Sequence, residues 1–309
     1  MVRLRWIVSV LLMPFLWGCS IPLVRPTRID WNPSLSPQTI QINGQTIFFT
    51  VKGEGKPLLL IHGYGAGMWV WEKQMDVLSQ SYRVYALDVI GHGFSDRPKI
   101  PYTPETYLHS LIDFMDKMGI EKATLIGNSM GGGIAWAMAI LSPERVDRLI
   151  LINCVPPDVL NRIENESFRF LIAIKDIPVL PYLVIAAGRS KGSIKWVLHW
   201  CVSDIKLITP EVLNRQYHLS KIKGTTQVLY STLKHADEAL KFKDKLSLIH
   251  HPTLFIWGER DLMLPPHIGE TLHQAIPGST FQRIEKSGHI PMWETPGEVN
   301  QAILDFLKE

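Results

Sequence analysis

One serine in this chain stands among the residue types that nucleophilic catalysis requires. Gly127-Asn128-Ser129-Met130-Gly131-Gly132-Gly133 follows the apolar run Ala123–Ile126 and precedes an Ala-rich, helix-compatible run from Ile134 to Leu141. A strand that enters a helix through G-x-S-x-G forces its serine into a sharp turn. The small flanking residues are needed because neighbouring backbone closes in on them. The hydroxyl is then held out at the end of a sheet, beside the N–H groups that open a helix. A plain strand-to-helix turn can carry the same letters, so the reading depends on partners.

A serine needs a base to take its proton, and the base needs an acid to orient it. Of eleven histidines, His250 and His251 precede a strand, and His109, His218 and His273 fall in helical patterns. His289 differs: it lies in Lys286-Ser287-Gly288-His289-Ile290-Pro291, a loop after the last predicted strand. Asp261, in Trp257-Gly258-Glu259-Arg260-Asp261, comes directly after the apolar run Leu254-Phe255-Ile256. That is the carboxyl end of a buried strand, the edge at which open α/β sheets bind ligands. Asp158, after the preceding strand, is the acid held in reserve.

A developing oxyanion needs backbone donors. His62-Gly63-Tyr64-Gly65-Ala66-Gly67 follows the strand Leu58–Ile61, and its glycines let N–H groups turn inward. The expected donors are the N–H groups of Met130 and Tyr64, with Gly65 as the alternative to Tyr64. Gly63, Gly65 and Asn128 are expected to support the loops, and His62 to hydrogen-bond its own loop. Asp88 and His92, in a second glycine-rich loop, read as scaffolding. No His, Cys or carboxylate spacing matches a metal site, and no cofactor motif is present.

The elements that position these residues follow from the apolar patterning. At 309 residues, 46% hydrophobic and 20% charged, the chain fits one large-cored domain with an insertion. The net charge of +3 is small and unclustered, which excludes an evident nucleic-acid surface. Gln38–Val51 alternates around Asn43-Gly44 as a β-hairpin. Pro57–Ile61, Tyr82–Leu87, Ala123–Ile126, Arg148–Ile152 and Pro252–Trp257 read as buried strands, with Thr280–Ile284 as an edge. Helical patterns at Trp69–Leu78, Thr103–Met118, Met130–Leu141 and His267–Ala275 separate most of them. The fold class is α/β, a mostly parallel sheet flanked by helices. Residues 39–154 and 251–309 form its core. Residues 155–250 carry helical patches and no evident strand, and are expected to form a helical cap over the site. Trp69, Trp71, Phe168 and Met263 are candidates to line the pocket, although core burial is the commoner fate of such residues.

The segments HGYGAG, DVIGHGFSDRP, GNSMGG, WGERDLMLP and SGHIPMWETP, in this order, resemble the α/β-hydrolase superfamily over about residues 40–309, the variable cap excepted. The resemblance implies Ser129 as nucleophile, Asp261 and His289 as its partners, no cofactor, and a two-step acyl-enzyme mechanism. Haloalkane dehalogenases and epoxide hydrolases are similar in the surrounding motifs but use aspartate where this chain has Ser129. GNSMGG also resembles hydrolases that cleave carbon–carbon bonds in aromatic ring-fission products. Asn128 and Trp293-Glu294 match those enzymes, but Ile290 stands where they carry tryptophan. The leading expectation is a hydrolase of carboxylic esters with small or medium apolar acyl groups. A C–C hydrolase, a lipase or acyltransferase, and a non-catalytic binding protein of the same fold are the alternatives.

The N-terminus is of another kind. Arg3 and Arg5 precede an apolar run from Trp6 to Trp17, too short to span a bilayer comfortably and suited to a secretory signal. Leu16-Trp17-Gly18-Cys19 resembles a bacterial lipobox, apart from Trp17 where a small residue is usual. Residues 1–18 are thus expected to be a lipoprotein-like signal peptide with Cys19 lipidated, and an uncleaved anchor is the alternative. Either places the chain at a membrane of the bacterial cell envelope. Residues 19–38, with Pro22, Pro26, Pro33 and Pro37, read as a tether. Cys154 and Cys201 are read as free thiols, with a bridge between them as the alternative.

Overall fold

The computed structural model describes residues 35–308. The expected signal segment, Cys19 and most of the tether lie outside them. The strands are β1 (Gln38–Ile42), β2 (Gln45–Lys52), β3 (Pro57–Ile61), β4 (Arg83–Leu87), β5 (Ala123–Asn128), β6 (Val146–Ile152), β7 (Thr253–Gly258) and β8 (Thr280–Ile284). They form one eight-stranded sheet in the order β1-β2-β4-β3-β5-β6-β7-β8. β1–β2 and β2–β4 are antiparallel and every other pairing is parallel. The hairpin turns on Asn43 (φ 51°) and Gly44 (φ 76°). Positive φ at both positions matches the right-handed twist of the strands, which is why Asn-Gly is favoured there.

The helices are α1 (Glu72–Leu78), α2 (Pro104–Lys117), α3 (Met130–Leu141), α4 (Val159–Arg162), α5 (Glu166–Ile174), α6 (Leu180–Ala187), α7 (Lys191–Cys201), α8 (Pro210–Lys221), α9 (Thr225–His235), α10 (Pro266–Ala275), α11 (Pro291–Glu294) and α12 (Pro296–Lys308). They cover both faces of the sheet, so its parallel strands are apolar on both sides. Alternate residues of β3 divide between two cores. Leu59 and Ile61 pack with Tyr85, Phe114, Trp136 and Phe255, whereas Leu58 and Leu60 pack with Trp71, Ile126 and Ile303. This is the period-two alternation of a strand.

The structure alters one expected element, decides two open readings and adds a helix. The helix expected at Trp69–Leu78 is divided into a 3₁₀ turn, Met68–Trp71, and α1. Trp69 and Trp71 are buried in the second core, where Trp69 meets Trp293 edge to face at 6.0 Å, so they fill space and do not line a pocket. α12 was not anticipated, although Val299, Ala302, Ile303 and Phe306 have helical spacing and are its buried face. Cys154 and Cys201 are both free thiols, as their isolated spacing suggests.

Between β6 and β7 the described chain is helical, from α4 through α9 to a 3₁₀ stretch, Ala236–Leu248. No described helix is long and apolar enough to cross a membrane.

Candidate active site

Ser129 joins β5 to α3 with φ 53° and ψ −120°. Positive φ at a residue with a Cβ costs about 1–2 kcal/mol and persists only where the surroundings enforce it. Here the Ser129 N–H donates to the Ile152 carbonyl at 3.0 Å, and its own carbonyl accepts from Gly133 and Val155, both at 3.1 Å. The flanking glycines are steric necessities. A Cβ on Gly131 would overlap the Ile61 carbonyl, and one on Gly127 would overlap the Gly131 backbone. Cys154 packs against Gly132 in the same way, leaving no room for a side chain there. Met130 opens α3, so its N–H is among those without an intrahelical acceptor.

The His62–Gly67 loop lies against this turn. A Cβ on Gly63 would sit 3.0 Å from Ser129 Cβ. His62 is fully buried and spends both ring nitrogens on backbone. Nδ1 pairs with the Gly63 carbonyl at 2.8 Å, and Nε2 accepts from Val89 N–H at 3.2 Å. Burial lowers its pKa to about 4, which keeps the ring neutral. The inserted helices hold the same loop from above. The Tyr64 hydroxyl donates to the Leu229 carbonyl at 2.8 Å, and Gln216 Nε2 donates to the Gly65 carbonyl at 2.6 Å. Burial raises the Tyr64 pKa, so the phenol remains a donor.

Asp261 and His289 meet at the opposite side of the elbow, with Nδ1 and Oδ2 2.8 Å apart and both residues buried. The carboxylate is satisfied on every side. Oδ2 also accepts from Asn153 Nδ2 at 2.6 Å, and Oδ1 accepts from the N–H groups of Met263 (2.8 Å) and Leu264 (3.0 Å). With Nδ1–H committed to Asp261, the neutral tautomer of His289 carries its lone pair on Nε2. Asn128 reaches across from the elbow, donating from Nδ2 to the His289 carbonyl (3.0 Å) and to the Ile152 carbonyl (3.1 Å). The residue before the serine therefore fixes the histidine loop.

Two contributors escaped the sequence reading. Asn153, with φ 42°, follows β6; its Oδ1 accepts from Gly258 N–H at 3.2 Å while its Nδ2 serves Asp261. A polar residue closing an apolar parallel strand at the sheet's carboxyl edge was the available signal. Glu294 has no sequence signal beyond the resemblance of Trp293-Glu294. Its carboxylate accepts from Gly288 N–H at 2.8 Å and from Ser203 N–H at 2.6 Å. His289 N–H donates to the Cys201 carbonyl at 2.9 Å, and the Ser203 hydroxyl bonds the Lys286 carbonyl. The insertion is thus bonded directly to the loop that carries His289. Burial raises the Glu294 pKa despite these bonds.

Other acids are occupied elsewhere. Asp158 pairs with Arg162 at 2.8 Å and Lys243 at 3.3 Å, at the root of the insertion. Asp88 accepts from Met68 N–H (2.6 Å) and Phe94 N–H (2.8 Å), and burial raises its pKa to about 6. His92 is buried beside His62, its pKa lowered well below the usual value by burial and by the neighbouring cationic and imidazole groups. A surface cleft of about 580 Å³ opens between the start of the insertion and α10, lined by residues such as Leu160, Ile163, Ile172 and His267. None of Ser129, Asp261, His289, Phe168 and Met263 lines it. Among the described residues no group of three His, Cys, Asp or Glu side chains is arranged to hold a metal ion.

The pattern that defines the alpha/beta hydrolase fold family matches residues 56–171 and 206–296. The chain belongs to that family, and it is an enzyme with hydrolase activity. An uncharacterised protein of Mycobacterium tuberculosis is 29% identical, over 92% of this chain and 84% of its own length. A meta-cleavage product hydrolase of Pseudomonas fluorescens superposes with a TM-score of 0.74 at 27% identity, covering 90% of this chain and 99% of its own. A bacterial virulence factor described as a membrane phospholipase A superposes with a TM-score of 0.71 at 27% identity, covering 89% and 86%.

Proposed function

We propose that the protein is a serine hydrolase of carboxylic esters with small or medium apolar acyl groups. The observation that carries this reading is the buried Asp261–His289 pair at 2.8 Å, tied through Asn128 to the turn that presents Ser129. In this mechanism Ser129 Oγ attacks the ester carbonyl as its proton passes to His289 Nε2. The oxyanion receives hydrogen bonds from the N–H groups of Met130 and Tyr64. Collapse breaks the C–O bond, and His289 returns the proton to the leaving alkoxide. Water, deprotonated by His289, then attacks the acyl-enzyme and releases the acid and Ser129. Asp261 stays ionised and holds the ring.

A p-nitrophenyl ester series of increasing chain length, run on wild type and Ser129→Ala, tests the reading. Serine-dependent turnover and fluorophosphonate labelling of Ser129 are expected; absence of both on every chain length sinks it. A second reading, C–C hydrolysis of ring-fission products, draws on the likeness to the meta-cleavage product hydrolase and on Asn128. Ile290, and the secretory signal expected at the N-terminus, weigh against it. Turnover of a 2-hydroxy-6-keto-dienoate faster than of any ester would replace the first reading with the second.

The N-terminal residues extend the proposal to place. Lipidation at Cys19 would tether the enzyme to the bacterial envelope, with apolar small-molecule esters as its partners. Cys19→Ala should then release the protein into the soluble fraction. Retention in the membrane without a lipid would point to an uncleaved anchor.

A further inference from the structure

The apolar surface of this protein is unevenly distributed. Among the described residues, twelve large apolar side chains are exposed, and nine belong to the insertion, which is 96 of the 274 described residues. Five of the nine fall in one stretch: Ile177, Val179, Leu180, Tyr182 and Leu183. Val179 is 64% exposed, Leu183 53% and Ile177 46%. The stretch is ordered by its own backbone, with Ile177 N–H on the Ile174 carbonyl (2.9 Å) and Leu183 N–H on the Val179 carbonyl (3.1 Å). Pro181 and Ile185 are buried and fasten α6 to the molecule. Val179 has φ 68°, a positive value that a β-branched residue very seldom adopts. A strained turn that directs apolar side chains into solvent does nothing for the core, and contiguous patches of this kind mark interaction surfaces.

Two observations select the partner. The insertion carries fourteen Lys and Arg against nine Asp and Glu, a net +5, whereas residues 39–154 and 251–309 carry fourteen against nineteen, a net −5. The cationic part of the molecule is therefore the part with the apolar turn, the pairing that suits a negatively charged lipid surface. The nineteen residues from Cys19 to Pro37 precede β1 and reach about 60 Å when extended. That is long enough for the insertion, not only the edge strand, to face a bilayer that holds the N-terminus. The turn also lies in residues 172–205, between the two segments that the family pattern matches.

We propose that the turn Ile177–Leu183 docks the insertion, apolar side chains first, onto an anionic lipid bilayer. The tether would raise the local concentration of the turn at the surface, so that a weak contact suffices. The inference concerns orientation at a membrane and goes beyond the esterase reading.

The test uses the full chain carrying an environment-sensitive fluorophore on Val179→Cys, mixed with vesicles of phosphatidylglycerol or of phosphatidylcholine. A Leu141→Cys probe, at the far end of α3, is the control. With phosphatidylglycerol the probe at 179 should shift to the blue and be quenched by nitroxide-labelled lipid, and the probe at 141 should do neither. Adding Leu183→Asp should lower the quenched fraction about tenfold, and salt at about 0.5 M should weaken it. Equal behaviour of the two probes overturns the proposal. So does a blue shift that appears without vesicles and grows with protein concentration, which would assign the turn to a second copy of the chain. The probes read depth and not turnover, so either result leaves the ester-hydrolysis test independent.

Discussion

Two groups of aspartate and histidine sit at the carboxyl edge of the same sheet, and they are built to opposite ends. Asp88, His62 and His92 follow β3 and β4; Asp261 and His289 follow β7 and β8. Both groups are buried, so burial does not distinguish them. Commitment of polar atoms does. Asp88 gives its carboxylate oxygens to backbone N–H groups of Met68 and Phe94, and His62 gives both ring nitrogens to backbone. Burial pushes His62 down to about 4 and, against the pull of Arg97, Asp88 up to about 6, both toward neutrality. Asp261 instead gives one oxygen to an imidazole and leaves that ring a nitrogen to spare. A histidine with two backbone partners is a strut; one with a carboxylate partner can accept a proton and stay stabilised.

The widest separation of the two groups is expected from matched substitutions. Asp261→Asn should lower kcat by about 10⁴ while leaving the fold intact, because the ring loses its carboxylate and its preferred tautomer. Asp88→Asn should do the reverse. It turns an amide N–H toward one of two backbone donors and should destabilise by about 1–3 kcal/mol, with kcat of the folded fraction little changed. Ester turnover and urea denaturation on the two variants measure both quantities. Equal losses of kcat would erase the distinction.

Asn153 sharpens it further. It supports the second group by donating to Asp261 and accepting from Gly258. Asn153→Ala should lower kcat by about 10², the scale of a small misplacement of reacting groups, with little change in KM. If KM rises and kcat holds, Asn153 shapes the binding site and not the acid.

The third effect concerns the link between the histidine loop and the insertion. Glu294→Gln keeps the shape but replaces one acceptor of Gly288 or Ser203 N–H by a donor. A loss of about tenfold in kcat is expected, since one charge-assisted bond is worth about 1.5–3 kcal/mol and part of it positions His289. Glu285→Gln, exposed on the same loop, is the control and should be silent.

The second group was the more legible of the two in the sequence, for physical reasons. Asp261 and His289 each follow a strand, and the parallel sheet carries such positions to one edge, where the structure brings them within 2.8 Å. Ser129 was marked by glycines whose necessity the close backbone approaches explain. The strands were plain because residues buried on both faces leave unbroken apolar runs. Asn153 and Glu294 were not plain, because their partners are backbone N–H groups and side chains far off in sequence. The fate of Trp69 and Trp71 was ambiguous because an apolar side chain suits a pocket wall and a core equally. The insertion's helices showed only as patches: its apolar residues serve an outer surface as well as an inner one.

The smallest effect isolates the strut. His62 is neutral in the fold, with a pKa lowered by burial from 6.5 to about 4. Its contribution to stability is therefore complete above pH 6.5 and is lost as pH falls from 6.5 toward 4. Asp88, raised from 3.8 to about 6, acts in the opposite sense: the fold gains relative stability as pH falls from 6 toward 3.8. The two oppose each other over most of that window in wild type. His62→Gln retains a donor for the Gly63 carbonyl and an acceptor for Val89 N–H but does not titrate. Measured against wild type, it should gain about 1 kcal/mol of relative stability between pH 7 and pH 5.5, about half of it by pH 6. Urea denaturation at the three pH values reads this directly, and kcat at pH 7 should stay within about threefold of wild type, since on this account the ring transfers no proton. Parallel stability curves, or a fall in kcat like that of Asp261→Asn, would make His62 a participant in the chemistry and dissolve the contrast between the two groups.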